Sequence, residues 1–455
     1  MSSSISDPQY EKMSLTPIPK LILGLSVPAI ISMLVTNIYN LVDTAFVGKL
    51  GTSASGAVGI VFGFMTVIQA FGFMFGQGAG SILSRSLGDR DPQKASVHAT
   101  AGFCCSFLFG VLICVFGFAF LEDIVYLLGS TDTIAPYAKT YISYILVSAP
   151  FMCSCLTLNN LLRYEGKAFL GMIGLMSGAV LNMAGDPILM FGLKMGISGA
   201  GLSTAVSQLV SWGILMGMFL SGKTRSELSL KNARLVTLPM IGNIIATGFP
   251  SLLRQALNSV TTMMLNNACS EYGDAAVAAM SIVSRIVFFA FSVALGVGQG
   301  FQPVSAFSYG AKKYTRLRKG FRFACIMSEA IIIVSSTVLI IFSGDLIWIF
   351  RDDADVIKIG TRALRLQALA TVTLPPCMIV EMLYQSTGKR LGASILSSLR
   401  NGLCFIAALM ILPEIRGLAG IQEAQPVSLV VSVPFFAVFG VIFFRKLPAE
   451  KDDAQ

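Results

Sequence analysis

Charged side chains are scarce in this sequence: Asp, Glu, Lys and Arg together make up 13% of its 455 residues, whereas hydrophobic residues make up 54%. A water-soluble globular protein of this length does not expose or bury so much apolar surface, so the composition excludes that class. The mean hydropathy of +0.74 points the same way. We therefore predict an integral membrane protein.

Histidine is almost absent as well, and His98 is the single example. A histidine-rich metal or catalytic site is thereby excluded, and we interpret His98 as a residue at the level of the lipid headgroups. The nine cysteines include no C-x-x-C pair, and we interpret them as small core residues. The sequence also lacks the G-x-x-x-x-G-K-[ST] phosphate loop of ATP-driven pumps. We expect no enzymatic activity and no bound cofactor.

Long apolar runs are present instead, and each is long enough to cross about 30 Å of hydrocarbon. We predict twelve membrane-spanning helices at 21–47, 54–84, 96–120, 137–162, 168–193, 198–221, 238–267, 274–308, 320–343, 357–387, 392–413 and 424–446.

The second half of the sequence repeats the first half at a constant offset. Matching residues lie 222 positions apart, as in the pairs Pro28 and Pro250, Gly76 and Gly298, and Gly166 and Gly388. The offset falls to 221 near the end of the repeat, where Gly196 matches Gly417. Since each half has an even number of spans, both halves share one orientation. The predicted fold is an all-α integral membrane protein with two six-helix lobes related by a pseudo-twofold axis along the membrane normal.

These spans divide the chain into five segments. We predict an N-terminal cytoplasmic segment (1–20), an N-lobe (21–221), a cytoplasmic interlobe linker (222–237), a C-lobe (238–446) and a cytoplasmic tail (447–455). We expect the linker to have few packed contacts, since it joins the lobes without sharing a core.

Lysine and arginine are concentrated in the loops after the even-numbered spans, which places both termini in the cytoplasm by the positive-inside rule. The formal net charge of +9 is then explained by topology and by anionic lipid headgroups. It is not evidence for a nucleic-acid partner, and we expect none.

Two acids interrupt the apolar runs of the first half, and an ionisable group in hydrocarbon costs at least about 2.5–3.5 kcal/mol unless it is paired or hydrated. Asp43 in the first span and Asp186 in the fifth reach similar depths, as does Thr204 in the sixth. Asn182 lies one turn from Asp186, and Thr36, Asn40 and Asp43 form a stripe. We predict one polar pocket that binds H⁺, or Na⁺ held by Asp43, Asn182, Asp186 and Thr204.

Two prolines and the repeat itself bear on this pocket. Pro28 and Pro187 each remove a backbone donor and predict a bend in their helices. The matching positions of the second half hold no acid: they are Leu265, Cys404, Ala408 and Gln425. This one-sidedness favours an ion-binding role, although two acids satisfied by neighbouring hydroxyls and amides remain the structural alternative.

The second half carries different embedded charges, namely Arg254, Arg285, Glu329, Glu381 and Arg400. Glu381 and Arg400 lie on facing helices about two turns from the loop between them, so they form either an ion pair or a substrate-binding site. Arg254 and Arg285 either bind an anionic group or close an internal pair.

Several motifs resemble those of the multidrug and toxic compound extrusion (MATE) transporters, in the bacterial DinF-like and MepA-like branch. They are Val42–Gly48, Leu87-Gly88-Asp89, Asn182 to Pro187, Gly199-Ala200 and Tyr309-Gly310-Ala311. The resemblance implies a first-lobe cation site of Tyr39, Asp43, Asn159, Asn182, Asp186 and Thr204, with Pro28 as the bend. Asn159, Glu381, Arg254 and Arg285 are the candidates for the substrate cavity.

The resemblance also implies a function. We expect a monomeric multi-pass protein of the bacterial inner membrane that exchanges H⁺ or Na⁺ for small amphipathic, cationic drugs. A flippase for lipid-linked saccharide precursors is the alternative, since Arg254 and Arg285 suit a pyrophosphate, although the acidic pocket argues against it.

Overall fold

The computed structural model describes residues 8–448, which are arranged as helices without β-strands. The predicted terminal segments extend into residues 1–7 and 449–455, which lie outside the described part. In the first repeat the helices are α1 (Pro8–Leu15), α2 (Ile18–Gly48), α3 (Thr52–Gly88), α4 (Pro92–Ala119), α5 (Leu121–Leu127), α6 (Ala135–Tyr164), α7 (Ala168–Pro187) with a π-helical turn (Ile188–Gly192), and α8 (Ile197–Leu220).

The second repeat follows the same order after the short helix α9 (Leu230–Ala233). Its helices are α10 (Leu238–Ser270), α11 (Asp274–Gly310), α12 (Tyr314–Ile341), α13 (Ser343–Phe350), α14 (Ala354–Thr371), α15 (Leu374–Ser386), α16 (Arg390–Ser398) with a π-helical turn (Leu399–Leu403), α17 (Cys404–Arg416) and α18 (Leu418–Arg445).

Eleven of the twelve predicted spans coincide with one helix or one continuous helical run, and the span predicted at 357–387 coincides with the two helices α14 and α15, which confirms the all-α membrane fold. Among the described residues, ten such elements are long and apolar enough to cross a membrane, and α14 with α15, bent by 53°, adds an eleventh. The remaining one, α10, has 33 residues, which is ample length. Polar residues such as Arg254, Gln255 and Asn258 reduce its hydropathy.

The helix boundaries repeat with the offset found in the sequence. Thus α3 and α11 begin at Thr52 and Asp274, and the turns that precede α8 and α18 contain Gly196 and Gly417. Both of these glycines have a φ of 58°, and Gly166 and Gly388 have φ values of 83° and 80°. Only glycine adopts this left-handed conformation without strain, so the shared glycines mark the turns of one duplicated scaffold.

The chain forms two compact units that exchange short segments between the repeats. Unit 1 contains the described residues up to Thr16 together with 31–252, and unit 2 contains 17–30 together with the described residues from 253 onward. The first part of α2 therefore belongs to unit 2, and the first part of α10 belongs to unit 1. Both changes of unit occur just after a proline, Pro28 or Pro250. The predicted lobe boundaries do not include this exchange.

Glycines allow the exchanged segment of α10 to approach α3 closely within unit 1. A Cβ atom on Gly248 would lie 1.8 Å from the Met74 carbonyl oxygen, and one on Gly78 would lie 2.2 Å from the Ile244 carbonyl oxygen. The corresponding contact in unit 2 is between Gly300 and Ser26. The repeated Gly-Gln-Gly motif therefore serves helix crossing, because only residues without a side chain permit this backbone separation.

The segment between the repeats is fixed to unit 1, so the expectation that 222–237 has few packed contacts is wrong. The buried Glu165 carboxylate accepts hydrogen bonds from the Arg225 amide at 2.6 Å and from the Ser226 hydroxyl at 2.6 Å. A buried carboxylate requires several donors, and this segment supplies them. Further hydrogen bonds to the segment involve Gln93, Ser96, Thr100 and Lys167.

This anchoring predicts a change in proteolysis. We expect Glu165→Ala to release the segment, so that trypsin cleaves the detergent-solubilised protein at Lys223 or Arg225 at least several times faster than in wild type. The control is Glu227→Ala, because the Glu227 side chain is exposed and its main-chain hydrogen bonds do not depend on it. Gel electrophoresis measures the cleavage rate of each protein. Equal rates for wild type and the two variants would contradict the anchoring.

Candidate functional site

The two acids singled out in the sequence meet within unit 1. Asp43 in α2 is half-buried, whereas Asp186 in α7 is completely buried. Their carboxyl groups lie close enough to interact electrostatically. Two ionised carboxylates at this separation repel each other, so the pair is stable only when a proton or a cation lies between them.

Asn182 and two hydroxyl groups complete one side of the pair. The Asn182 amide nitrogen lies 3.4 Å from Asp186 Oδ1, 3.3 Å from Ser203 Oγ and 3.3 Å from Thr204 Oγ1. The Ser203 hydroxyl in turn donates to the Asn182 carbonyl oxygen at 3.2 Å. All four residues are at least nine-tenths buried. The hydroxyl groups of Ser203 and Thr204 on α8 therefore face Asp186 and Asn182 on α7.

Two tyrosines lie beside the acids. Tyr39, in α2, is within electrostatic range of both carboxyl groups. Tyr141, in α6, is almost fully buried and lies beside Thr204. Neither Tyr141 nor Ser203 was predicted from the sequence. Counting depth from the helix ends identifies Tyr141, because it lies six residues into α6 and Thr204 lies seven residues into α8.

Three buried oxygens of this cluster have no hydrogen-bond partner among the described residues. They are Asp43 Oδ1, Asn182 Oδ1 and Asp186 Oδ2. An unpaired polar atom in a dry interior costs free energy, and a bound ligand removes that cost. Carboxylate, amide and hydroxyl oxygens are the ligands that hard cations prefer, and a proton satisfies the carboxylates as well. The donor set thus fits either H⁺ or Na⁺.

Two predicted members of the stripe on α2 do not join this cluster. Thr36 is exposed, and its hydroxyl donates to the Ser32 carbonyl oxygen at 2.8 Å. Asn40 is half-buried, and its main-chain carbonyl accepts from Thr44. The three residues share one face of α2, but Thr36 lies about two turns from Asp43, and no hydrogen bond within the described residues joins the Asn40 side chain to the acids.

The placement of Asn159 in the cation site is wrong. Asn159 follows Tyr141 by 18 residues along α6, a separation of about 27 Å in a helix. It lies instead against Gly171 near the start of α7. Because both residues belong to the single helix α6, this separation means that Asn159 and Tyr141 do not line the same pocket.

The predicted helix bends differ in form. α7 ends at Pro187, the residue after Asp186, and continues as a π-helical turn from Ile188. A missing backbone donor at proline favours such a local rearrangement. Pro28 lies inside α2, two residues before that helix passes from unit 2 to unit 1.

The corresponding region of unit 2 is apolar, as the sequence comparison of the halves predicts. Leu265 is buried in a hydrophobic cluster, and Ala408 packs against that cluster. Gln425, which replaces Thr204, accepts a hydrogen bond from Gln367 at 3.0 Å. The duplicated scaffold therefore folds around hydrophobic side chains at these positions, and the acids of unit 1 are not a requirement of the fold.

The charges of unit 2 form a separate buried group. Glu381 Oε1 lies 3.1 Å from Arg254 Nη1, and Glu381 Oε2 lies 3.0 Å from Arg400 Nη2. The ion pair between Glu381 and Arg400, one of the two alternatives given for them, is present, and Arg254 joins it. Arg285 is exposed and forms no ion pair within the described part of the chain, and Glu329 is half-buried.

Comparison with known proteins supports the family resemblance. The sequence model of the MatE family matches residues 28–188 and 250–410, which is the same segment in both repeats. Multidrug export protein MepA of Staphylococcus haemolyticus is 27% identical over 428 residues, covering 94% of each chain. The MepA protein of Staphylococcus saprophyticus is 29% identical over 398 residues, covering 87% of each chain.

The fold is likewise similar to solved structures. A MOP superfamily transporter from Pyrococcus furiosus superimposes with a TM-score of 0.91 at 23% identity, covering 97% of this chain and 99% of that chain. The curated relatives are named as export proteins, in agreement with the prediction that the chain is not an enzyme. The helices and the relatives together identify a multi-pass membrane protein. Because the family model covers more than half of the chain and matches both repeats, the chain belongs to the MatE family.

Proposed function

We propose that this protein is a secondary active multidrug exporter that exchanges H⁺ or Na⁺ for small amphipathic, cationic compounds by alternating access. The observation that carries the proposal is the set of three buried, unpartnered oxygens on Asp43, Asn182 and Asp186. Buried acids without a basic partner are costly in a membrane protein and mark ion pathways.

The acid pair explains how an ion changes the state of unit 1. A proton on one carboxyl group provides the donor that the facing carboxyl group lacks, and it removes one negative charge. Na⁺ neutralises the pair in another way, by contacting the unpartnered oxygens together with Thr204. In either case the ion joins α2 to α7, and its release lets the two carboxylates repel each other. The segment of α2 that carries Asp43 is therefore the element that responds to the ion.

The ion gradient supplies the driving force. Each charge that moves inward through a potential of 100 mV yields about 2.3 kcal/mol. The exporter uses this energy only if ions enter the cell from outside while the substrate leaves. We propose that the protein lies in the bacterial inner membrane with both termini in the cytoplasm, as the distribution of lysine and arginine favours.

The substrate class is proposed from the relatives, which are named multidrug export proteins. The flippase alternative has no specific support, because Arg254, one of the two arginines assigned to a pyrophosphate, is paired with Glu381.

The test is dye transport in everted membrane vesicles that contain the overproduced protein. We expect uptake of a fluorescent organic cation to follow an imposed pH gradient or an imposed Na⁺ gradient, and to continue without ATP. Vesicles from the same host without the protein serve as the control. Uptake that requires ATP, or that ignores both gradients, would overturn the proposal.

A milder substitution tests the wall of the pocket. Tyr141→Phe removes the hydroxyl group that lies beside Thr204 and the acids, and we expect it to shift the ion concentration for half-maximal transport by about three- to tenfold. Tyr137→Phe is the matched control, since Tyr137 lies on the same helix with 44% of its surface exposed. If transport by the two variants depends on ion concentration in the same way, Tyr141 has no role in ion binding.

A further inference from the structure

The end of unit 2 at which α12 begins and α18 ends carries a dense group of basic side chains. Three segments meet there: the start of α12, the turn between α15 and α16, and the end of α18. Arg318 Nη2 donates to the Phe444 carbonyl oxygen at 3.3 Å, and Lys389 Nζ lies 4.1 Å from the centre of the Phe443 ring. We call five residues of these segments the basic cluster: Arg318, Arg322, Lys389, Arg445 and Lys446.

No acid within these segments balances the basic cluster. Residues 311–323, 387–391 and 443–448 contain neither aspartate nor glutamate. No member of the cluster forms an ion pair with another described residue. Burial and the charge of Lys446 lower the pKa of the Lys389 ammonium group, so these two cations lie within electrostatic range of each other. Like charges gathered in this way repel one another, and an anionic ligand relieves the repulsion.

The matching end of unit 1 balances its own charge. Lys167, which matches Lys389, lies 2.6 Å from the Glu165 carboxylate. Three acids of unit 1 are replaced in unit 2 by residues without negative charge, in the pairs Asp89 and Ala311, Asp91 and Lys313, and Glu165 and Thr387. The duplicated scaffold therefore folds with these acids, and their loss in unit 2 is not a requirement of the fold.

The interlobe linker covers the surface of unit 1 that corresponds to the basic cluster. Ser96 and Thr100 form hydrogen bonds with the main chain of Glu227 in this linker. The positions that match Ser96 and Thr100 hold Arg318 and Arg322 in unit 2, and both arginines are exposed. Unit 2 thus replaces two linker contacts with two cations, and within the described part of the chain it leaves them uncovered.

Apolar side chains continue from the basic cluster along the outer faces of α12 and α18. On α18, Val438 and Ile442 share one face with Arg445, and 55% and 40% of their surfaces are exposed. On α12, Ile326 lies one turn from Arg322 and is 69% exposed. A ligand that fits both parts has an anionic headgroup and hydrocarbon chains, as an anionic phospholipid does. A soluble phosphate matches the basic cluster alone.

We propose that the basic cluster binds the phosphate group of an anionic phospholipid, whose acyl chains lie on the apolar faces of α12 and α18. In the proposed orientation this end of unit 2 faces the cytoplasmic leaflet. The phosphate oxygens accept charge-assisted hydrogen bonds from the arginines and offset the repulsion within the cluster. The lipid thereby covers the surface of unit 2 that the linker covers in unit 1.

Lipid binding to the purified full-length protein, measured by native mass spectrometry, tests the proposal. Dioleoyl phosphatidylglycerol is compared with dioleoyl phosphatidylcholine, which has the same chains and no net charge. We expect wild type to bind phosphatidylglycerol at least about tenfold more tightly. In the double variant Arg318→Gln with Arg322→Gln, the affinity for phosphatidylglycerol should fall about ten- to thirtyfold, while the affinity for phosphatidylcholine stays within about twofold.

A second variant and a control keep the test decisive. Arg445→Gln with Lys446→Gln changes two exposed side chains and keeps the contact between Arg318 and the main chain of α18. It should also weaken phosphatidylglycerol binding, and it serves if the first variant does not fold. Arg351→Gln with Lys358→Gln is the control, because it removes two exposed charges around the start of α14, at the opposite end of unit 2. It should leave both affinities unchanged.

The outcomes separate the lipid from other occupants of the basic cluster. Equal affinity of wild type for both lipids, or unchanged phosphatidylglycerol binding in both cluster variants, would overturn the inference. Displacement of phosphatidylglycerol by an equal concentration of inorganic phosphate would assign the cluster to a soluble anion instead. If phosphatidylglycerol binds only after Glu450→Gln, Asp452→Asn and Asp453→Asn are combined, the acidic tail is the occupant and the proposal is wrong. These measurements do not involve ion-driven efflux, so the inference and the proposed function fail independently.

Discussion

Asp43→Asn and Asp186→Asn are each expected to reduce ion-driven efflux to the level of cells that lack the protein. Asparagine keeps the shape of the side chain but neither takes up a proton nor contributes charge to a cation site. Efflux of a fluorescent cation, measured in a pump-deficient host at matched expression, reports the effect. Because both positions hold an unpartnered buried carboxylate oxygen, we also expect the melting temperature to stay equal or rise.

The control for this pair is Asp123→Asn, which makes the same chemical change at an exposed acid of α5. It should transport like wild type. Near wild-type efflux by both Asp43→Asn and Asp186→Asn would mean that the acid pair does not couple transport to an ion, whatever the family of the protein.

Gly248→Ala is expected to prevent accumulation of folded protein. The added methyl carbon would lie 1.8 Å from the Met74 carbonyl oxygen, a backbone atom that moves only if two helices separate. Overpacking in a core usually lowers the free energy of unfolding by about 1–3 kcal/mol. A clash with a backbone atom costs at least the upper value of this range. Fluorescence-detected size-exclusion chromatography of the solubilised protein measures the loss.

Gly242→Ala provides the comparison on the same helical segment. Gly242 is exposed, and a Cβ atom there would meet nothing within 4 Å. Since alanine also favours helix over glycine, this variant should accumulate at least as well as wild type. A monodisperse Gly248→Ala protein in wild-type amounts would show that the exchanged segment of α10 does not pack on α3 as described.

Much of the fold follows from the sequence, because long apolar runs and repeated glycines are local signals. The runs placed α3 and α11 within four residues of their observed ends, and the glycine pairs marked the turns. The short helices α1, α5 and α13 carry no such run and were not predicted. The exchange of segments after Pro28 and Pro250 depends on which helices these segments pack against. The hydrophobic periodicity of the sequence does not contain that information.

The candidate site was predictable in part for the same reason. Depth counting brought together Asp43, Asp186 and Thr204, since each lies on a separate helix with a defined end. Asn159 was carried over by resemblance alone, and its distance along α6 contradicts that placement. Tyr141 was missed because the search began from charged residues, whereas a buried hydroxyl group gives no signal in hydropathy.

The linker and the second charge group show a further limit of sequence reasoning. Glu165 follows α6 next to a loop and reads as a solvated residue, yet its carboxylate is buried and holds the linker through Ser226. Arg254 and Glu381 are 127 residues apart, so their pairing depends entirely on tertiary structure. Long-range partners of this kind are defined by the folded unit and not by a local pattern.

The central claim is that the acid pair of unit 1 binds the coupling ion, and ion binding to purified protein tests it most directly. Proton uptake across a pH titration and equilibrium binding of radioactive Na⁺ are measured on wild type and on the double variant Asp43→Asn with Asp186→Asn. We expect wild type to bind at least one of the two ions at a site that the double variant lacks. Identical proton titration together with identical Na⁺ binding in the two proteins would contradict the claim.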